Sequence, residues 1–279
     1  MLWECAEYLE CECMEMYHTI DGIRVHRGIM RKEQFLRLRH ENEGVGLHEL
    51  WLGLLEIYSS RDLSYNSDLL PALSGLAKLW QSRGAGKYLA GFWEEYILES
   101  MMWNVHDLSP SQIQRSIEYR APSWSPFSLE EQYGRENRRT HLSFGFPTNY
   151  ERLAERCAAV LDAGSTPMGA DPTGQVASGF LRLKGHVIRK NVSSKRIELR
   201  GEYLFIDFDF DINFGGGIDL TFLLIGYNTL GGLIALVLQH LKQSGVYERV
   251  GIASCSRRKQ SQMFVSQFFA VEEETVVII

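Results

Sequence analysis

The chain is poor in residues that staple a fold or ligate metal. Its 279 residues include five cysteines: Cys5, Cys11, Cys13, Cys157 and Cys255. An odd, sparse set in a chain long enough to bury a large core argues against a disulfide framework and for reduced thiols inside a cell. Basic surplus is also missing. With 29 Lys and Arg against 35 Asp and Glu, the net charge of −6 gives no general footprint for nucleic acid. Two local basic clusters (Arg24, Arg27, Arg31, Lys32, Arg37 and Arg39; Arg257, Arg258 and Lys259) read as solvated faces and loops. The start, MLWECAEYLECECMEM, has no basic n-region and is not read as a secretory signal. Uninterrupted apolar runs are scarce. Leu220–Leu238 is broken by Gly226-Tyr227-Asn228-Thr229 and by Gly231-Gly232, which predicts two strands and an Asn/Gly turn, not a membrane span. The expectation is a cytoplasmic protein with no membrane or nucleic-acid partner.

Catalytic and cofactor signatures are absent from the pattern as well. The eight histidines contain no H-E-x-x-H, and there is no G-x-S-x-G elbow. Adjacent His106 and Asp107 do not make a dyad, because neighbouring side chains rarely converge. Arg83-Gly84-Ala85-Gly86-Lys87 has Gln81 where a phosphate loop needs its first Gly, and Tyr88 where it needs Ser or Thr. Gly215-Gly216-Gly217 lacks the dinucleotide spacing. Cys5, Cys11, Cys13 and His18 lack the paired spacing of zinc modules. Asp207, Asp209 and Asp211 share a strand face at intervals of about 7 Å, too far apart to meet on one ion. They read as a solvated face or edge protection. Glu94, Glu95 and Glu99 read as the wet side of a helix. No cofactor, metal or catalytic residue is expected.

What is present is aromatic: six Trp, twelve Tyr and fourteen Phe, enough to build a core. Trp51, Leu54, Leu55 and Tyr58 follow helical spacing. A second helix is predicted after Ser67, whose hydroxyl would cap it, with Asp68 favouring its N-terminal dipole and Pro71 in its first turn. Leu69, Leu73, Leu76, Ala77 and Trp80 share its apolar face. Arg83–Gly86 ends it. Leu89, Phe92, Trp93, Tyr96 and Ile97 predict a third helix running to Trp103. Residues 128–150 read as a polar excursion. Leu153–Asp162 fits a helix or a strand, and Gly164–Gly174 reads as turns. Period-two patterns follow: Leu181 and Leu183, Ile197 and Leu199, then Leu204 to Ile212. Further strands are predicted at 220–227, 232–241, 246–253 and 275–279.

The expected fold class is α+β: an N-terminal helical layer, then a mostly antiparallel β-rich sandwich or barrel-like region. The expected boundaries are 1–20, a helical region 21–108 and a β-rich region 109–279.

Three phrases carry a resemblance: YSSRDLSYNSDLLPALSGLA from Tyr58, YLAGFW from Tyr88 and YRAPSWS from Tyr119. In this order they resemble the region that follows the HET (heterokaryon incompatibility) domain of large fungal proteins. Trp3-Glu4-Cys5 is similar to the end of the HET domain itself, making residues 1–20 its remnant. Trp51, Tyr58, Arg61, Ser67, Asp68, Leu73, Ser74, Gly75, Tyr88, Gly91, Trp93, Trp103, Arg120, Pro122, Ser123 and Trp124 stand at the family's motif positions. Phe222–Gly226 and Gly245–Gly251 also look like family strands. Pro126-Phe127 departs from the family's Trp-Ala, and no HET-like opening strand precedes Trp3.

The resemblance implies a non-enzymatic accessory region linked to fungal nonself recognition and incompatibility cell death, inactive as an effector alone. Its partner would be a protein or the effector domain. The residues themselves read as scaffold: Trp93 and Trp124 as core aromatics, Gly75 as a site of close helix packing, and Arg61 and Arg120 as pairing with acids in an interdomain seam. Two other readings stand beside it. One is a hydrolase using acidic residues of the β-rich region; the other is a β-sandwich ligand-binding module.

Overall fold

Trp51 and Leu55 are fully buried on one face of helix α1 (Val45–Ser59), with Leu54 and Tyr58 half-buried beside them. The computed structural model describes residues 2–4, 9–11, 45–59, 63, 65–106, 110–131, 143–145, 153–199, 202–255 and 258–279. Strands β1 (Leu2–Glu4) and β2 (Leu9–Cys11) pair antiparallel. Cys5, Cys13, His18, Arg61 and Asp107 lie outside the described residues, as do the side chains of Trp3, Cys11 and His106.

The second helix begins as expected but is capped differently. A 3-10 turn at Asn66–Asp68 leads into α2 (Leu69–Ser82), whose N-cap is Asp68 and carries no side-chain capping bond. Ser67 turns to Asp68 Oδ1 at 3.3 Å instead of closing the helix end. The preceding turn supplies a backbone bond instead, from Asp68 N–H to the Tyr65 carbonyl. Leu73, Ala77 and Trp80 are buried on α2, and Leu69 and Leu76 are half-buried.

Residues 88–103 are not one helix. Tyr88–Leu89 (β3) and Phe92–Trp93 (β4) pair as a hairpin, followed by a 3-10 turn at Glu94–Tyr96 and the one-turn helix α3 (Ile97–Ser100). Ala90 at φ +44° and Gly91 at φ +104° form the two-residue turn, the left-handed pair whose twist suits a hairpin. Every side chain from Tyr88 to Trp93 is buried. An all-buried run has no polar side, so its apolar spacing cannot tell helix from strand.

Short pairs follow: β5 (Asn104–His106) with the later β8, and β6 (Ile113–Arg115) with β7 (Leu129–Glu131), where β8 is Ser143–Gly145. Ser128 and Leu129 are buried, so the proposed polar excursion does not begin at 128.

The remainder is a nine-stranded sheet. Leu153–Asp162 resolves into β9 (Leu153–Arg156) and the start of β10 (Ala159–Pro167), which extends through the expected turn at Gly164. Then come β11 (Val176–Val192), β12 (Arg196–Leu199), β13 (Glu202–Phe208), β14 (Ile218–Asn228), β15 (Leu233–Leu241) and β16 (Val246–Ser254). Helix α4 (Arg258–Phe269) precedes the last strand, β17 (Glu273–Ile278). The β14–β15 hairpin lies where the broken apolar run predicts it.

Five strands hydrogen-bond in a ring. β11–β14, β14–β15, β15–β16 and β17–β11 are antiparallel, and β17 meets β16 in parallel at Tyr247 and Ile278. One apolar cluster joins Trp51, Trp80, Trp93, Trp103 and Trp124 to Leu181, Leu223, Leu236 and Ile278. A second places Phe264 and Phe268 of α4 against Phe222, Val237 and Ile206. Among the described residues, no helix is long and apolar enough to cross a membrane.

Candidate functional site

Strand β13 ends at Phe208, and the chain bends at Asp209 and Phe210. The bend breaks the alternation expected through Ile212. Asp207 and Asp211 remain exposed, whereas Asp209 turns inward and is buried. Its partner is Arg249 on β16, which follows the half-buried Glu248 in that strand and is itself fully buried. The solvated-face reading is therefore wrong for Asp209: the loss of strand geometry after Phe208 releases that side chain from the outer face.

Arg249 uses four donor contacts. Nε donates to Asp209 Oδ2 at 3.1 Å and Nη2 to Asp209 Oδ1 at 3.0 Å; Nη1 reaches the Met101 carbonyl at 2.5 Å and Nη2 the Trp103 carbonyl at 2.7 Å. The guanidinium also lies 3.5 Å from the centre of a Trp103 ring. Burial pulls its pKa down, and the Asp209 carboxylate opposes that shift. Arg249 N–H donates to Ser123 Oγ, and Ser123 Oγ in turn donates to the Ile279 carbonyl. Arg115 donates to the Arg249 and Ser123 carbonyls and to Ser128 Oγ. The cluster thus joins the segment after α3, the YRAPSWS segment, β16 and the end of β17. Both Asp209 oxygens accept from a guanidinium, which suits a structural clamp and leaves no carboxylate poised for proton transfer.

A second cross-connection starts at Ser74 on α2. Its hydroxyl contacts Asp171 Oδ2 at 2.5 Å and Thr173 Oγ1 at 2.9 Å, and Lys78, one helical turn on, donates to Asp171 Oδ2 at 2.7 Å. Asp171 Oδ1 also accepts from the backbone and hydroxyl of Thr173. Bonds from Lys78, Ser74 and Thr173 hold the Asp171 carboxyl well below the usual carboxylate range.

Several of the motif residues are buried and bonded within the chain, whereas Ser67, Asp68 and Gly75 are exposed. Trp51 Nε1 donates to the Gly91 carbonyl at 2.7 Å, Tyr58 Oη to the Leu69 carbonyl at 2.6 Å and Trp103 Nε1 to the Trp124 carbonyl at 3.0 Å. Trp51, Trp80, Tyr88 and Trp93 meet edge to face. Pro122 packs against Gly179 of β11. Arg120 is buried and pairs with Glu130 at 2.8 Å, beside Ser116. Glu94 and Glu99 are part-exposed and pair with Lys87 and Arg156, and Glu95 is exposed, but they stand on a 3-10 turn and a one-turn helix, not on one long helix. Gly75 departs from expectation. It is exposed with open space where a Cβ would stand, so close packing does not require it.

Among the described residues, no three His, Cys, Asp or Glu side chains gather as a metal site. The outer face of β13 carries a small aromatic pair, Tyr203 and the half-exposed Phe205, with Arg196 over the Tyr203 ring. Sequence patterning missed Arg249 and Asp171. Arg249 follows Glu248 and reads as one more charge on a strand, and Asp171 sits in a turn, so neither leaves a local signal. No family model, curated protein or solved structure matches this chain.

Proposed function

We propose that this chain is an accessory region of a HET-family protein of fungal nonself recognition. It acts in the cytoplasm by docking on, regulating or lending partner specificity to a cell-death effector, without turning over a substrate. In this reading a helical layer is clamped to a barrel-like sheet and the pair moves as one body.

The observation that carries the reading is where the motif residues lie. Trp51, Trp93, Trp103 and Trp124 are all buried, and Ser74 and Ser123 bond to Asp171 and Arg249 across long sequence separations. Residues that carry chemistry would instead converge on an open cleft. Against a hydrolase using acidic residues of the β-rich region stands their engagement elsewhere: Asp209 binds Arg249, Asp171 binds Lys78, Glu130 binds Arg120 and Glu274 binds Arg189, while Asp207 and Asp211 are exposed.

The test is expression of the chain alone in a filamentous fungus, and then together with a HET effector core. The expected result is no death from the chain alone and altered killing on co-expression. Death caused by the chain alone refutes the proposal.

A further inference from the structure

β10 has a free side. Among the described residues it pairs with β11 alone, and Ala159, Val160, Leu161 and Asp162 are all exposed. Exposure of four in a row, across the register shift at Leu161, means that neither face of this stretch is covered, and its place at the end of the sheet leaves one edge without a strand among the described residues. A groove of about 450 Å³ lies against it, lined by every residue from Ala158 to Ala163. Its opposite wall includes Glu94, Glu95, Leu98 and Arg156. Among the described residues no strand pairs with β10 on the side away from β11, and an edge without a strand partner is a place where another chain can add.

The charges on that groove are unequal. Lys87 neutralises Glu94 at 2.8 Å, and Arg156 is engaged by Glu99 at 2.6 Å. Glu95 and Asp162 have no ion-pair partner among the described residues and leave the groove acidic, beside the apolar Val160 and Leu161. We infer that this edge docks an extended, basic segment of a partner protein. The segment adds as a strand beside Ala159–Asp162 and sets Lys or Arg side chains against Glu95 and Asp162.

Charge selects that occupant over a second copy of this chain. The acidic edge repels its own duplicate. The register shift between Val160 and Asp162 kinks the strand, and Lys87 Nζ occupies the Ala163 carbonyl at 2.7 Å. Both features confine any added strand to a few residues, whatever its source. The surface stands apart from the accessory-region reading, since a peptide titration and a fungal killing assay fail separately.

The experiment titrates the full chain with a labelled alternating Lys-Val peptide of about eight residues, read by fluorescence anisotropy and hydrogen exchange. Expected are a Kd below about 1 mM and slowed exchange at the amides of residues 159–162. Combined Glu95→Lys and Asp162→Lys changes weaken binding by about tenfold while leaving the melting temperature unchanged. A peptide N-methylated on its pairing edge, or one with Asp replacing Lys, fails to bind. Absence of binding, equal binding of the N-methylated peptide, or unchanged exchange at 159–162 overturns the inference.

Discussion

Arg249 and Asp209 form a two-bond ion pair, at 3.1 and 3.0 Å, with both side chains sealed from water. A pair so buried is costly to break from one side, because the remaining charge keeps its desolvation penalty. Asp209→Asn should therefore destabilise the chain by about 3–5 kcal/mol. Asp211→Asn, on an exposed neighbour, should stay within about 0.5 kcal/mol. Urea unfolding of both variants checks the contrast, and equal small losses would remove the pair from the clamp.

Two glycines of the motif phrases should respond with opposite signs. Gly75 lies within α2 with nothing near its missing Cβ. Gly75→Ala should stabilise by roughly 1 kcal/mol. Gly91 sits at φ +104°, and an added Cβ would stand 2.6 Å from Phe127 Cε2. Gly91→Ala should destabilise through both backbone strain and overpacking. Thermal melts of the two variants decide the matter.

The Ser74–Asp171–Lys78 contact should show itself in acid. A carboxyl whose folded pKa is depressed adds stability above its unfolded pKa and loses it as pH falls through the folded value. Bonds from Lys78, Ser74 and Thr173 place Asp171 in that class. The melting temperature of the parent chain should fall more steeply between about pH 4 and pH 2 than that of Asp171→Asn. Parallel curves would show that the contact adds nothing to folding.

Cys157 should be a sluggish thiol. Burial, with the Glu155 carboxylate adding to it, pushes its pKa up to about 11. The folded thiol therefore stays protonated where a free one ionises. Its contribution to stability is fully present below the unfolded thiol value and is lost as pH rises toward about 11. Site-resolved mass spectrometry after iodoacetamide at about pH 8.5 should find Cys157 labelled far more slowly than after unfolding in urea. Equal rates would contradict the shift.

The sequence disclosed elements that have two distinguishable sides. α1 and α2 were legible because Trp51, Leu55, Leu73 and Trp80 recur at helical spacing. The β14–β15 hairpin was legible because Asn228 and Gly231 interrupt an apolar run. Tyr88–Trp93 was not, because burial on all sides erases periodicity and the turn depends on Ala90 adopting a left-handed backbone. The clamp was half visible. Ser123 stood out in its phrase, but Arg249 acquires meaning only when β16 is brought beside Asp209, 40 residues earlier in the chain. Gly75 misled for a different reason: an exposed helical glycine has no local cause that this structure supplies.

The ring of strands is completed by β17, whose Ile278 reaches both Leu181 of β11 and Tyr247 of β16. A ribosome releases residues 273–278 after every other described segment. Until they emerge, β11 has an unfilled side and the ladder between its start and β16 stays open. The chain is thus committed to finishing its fold after synthesis of that strand, with an incomplete sheet exposed to chaperones during the wait.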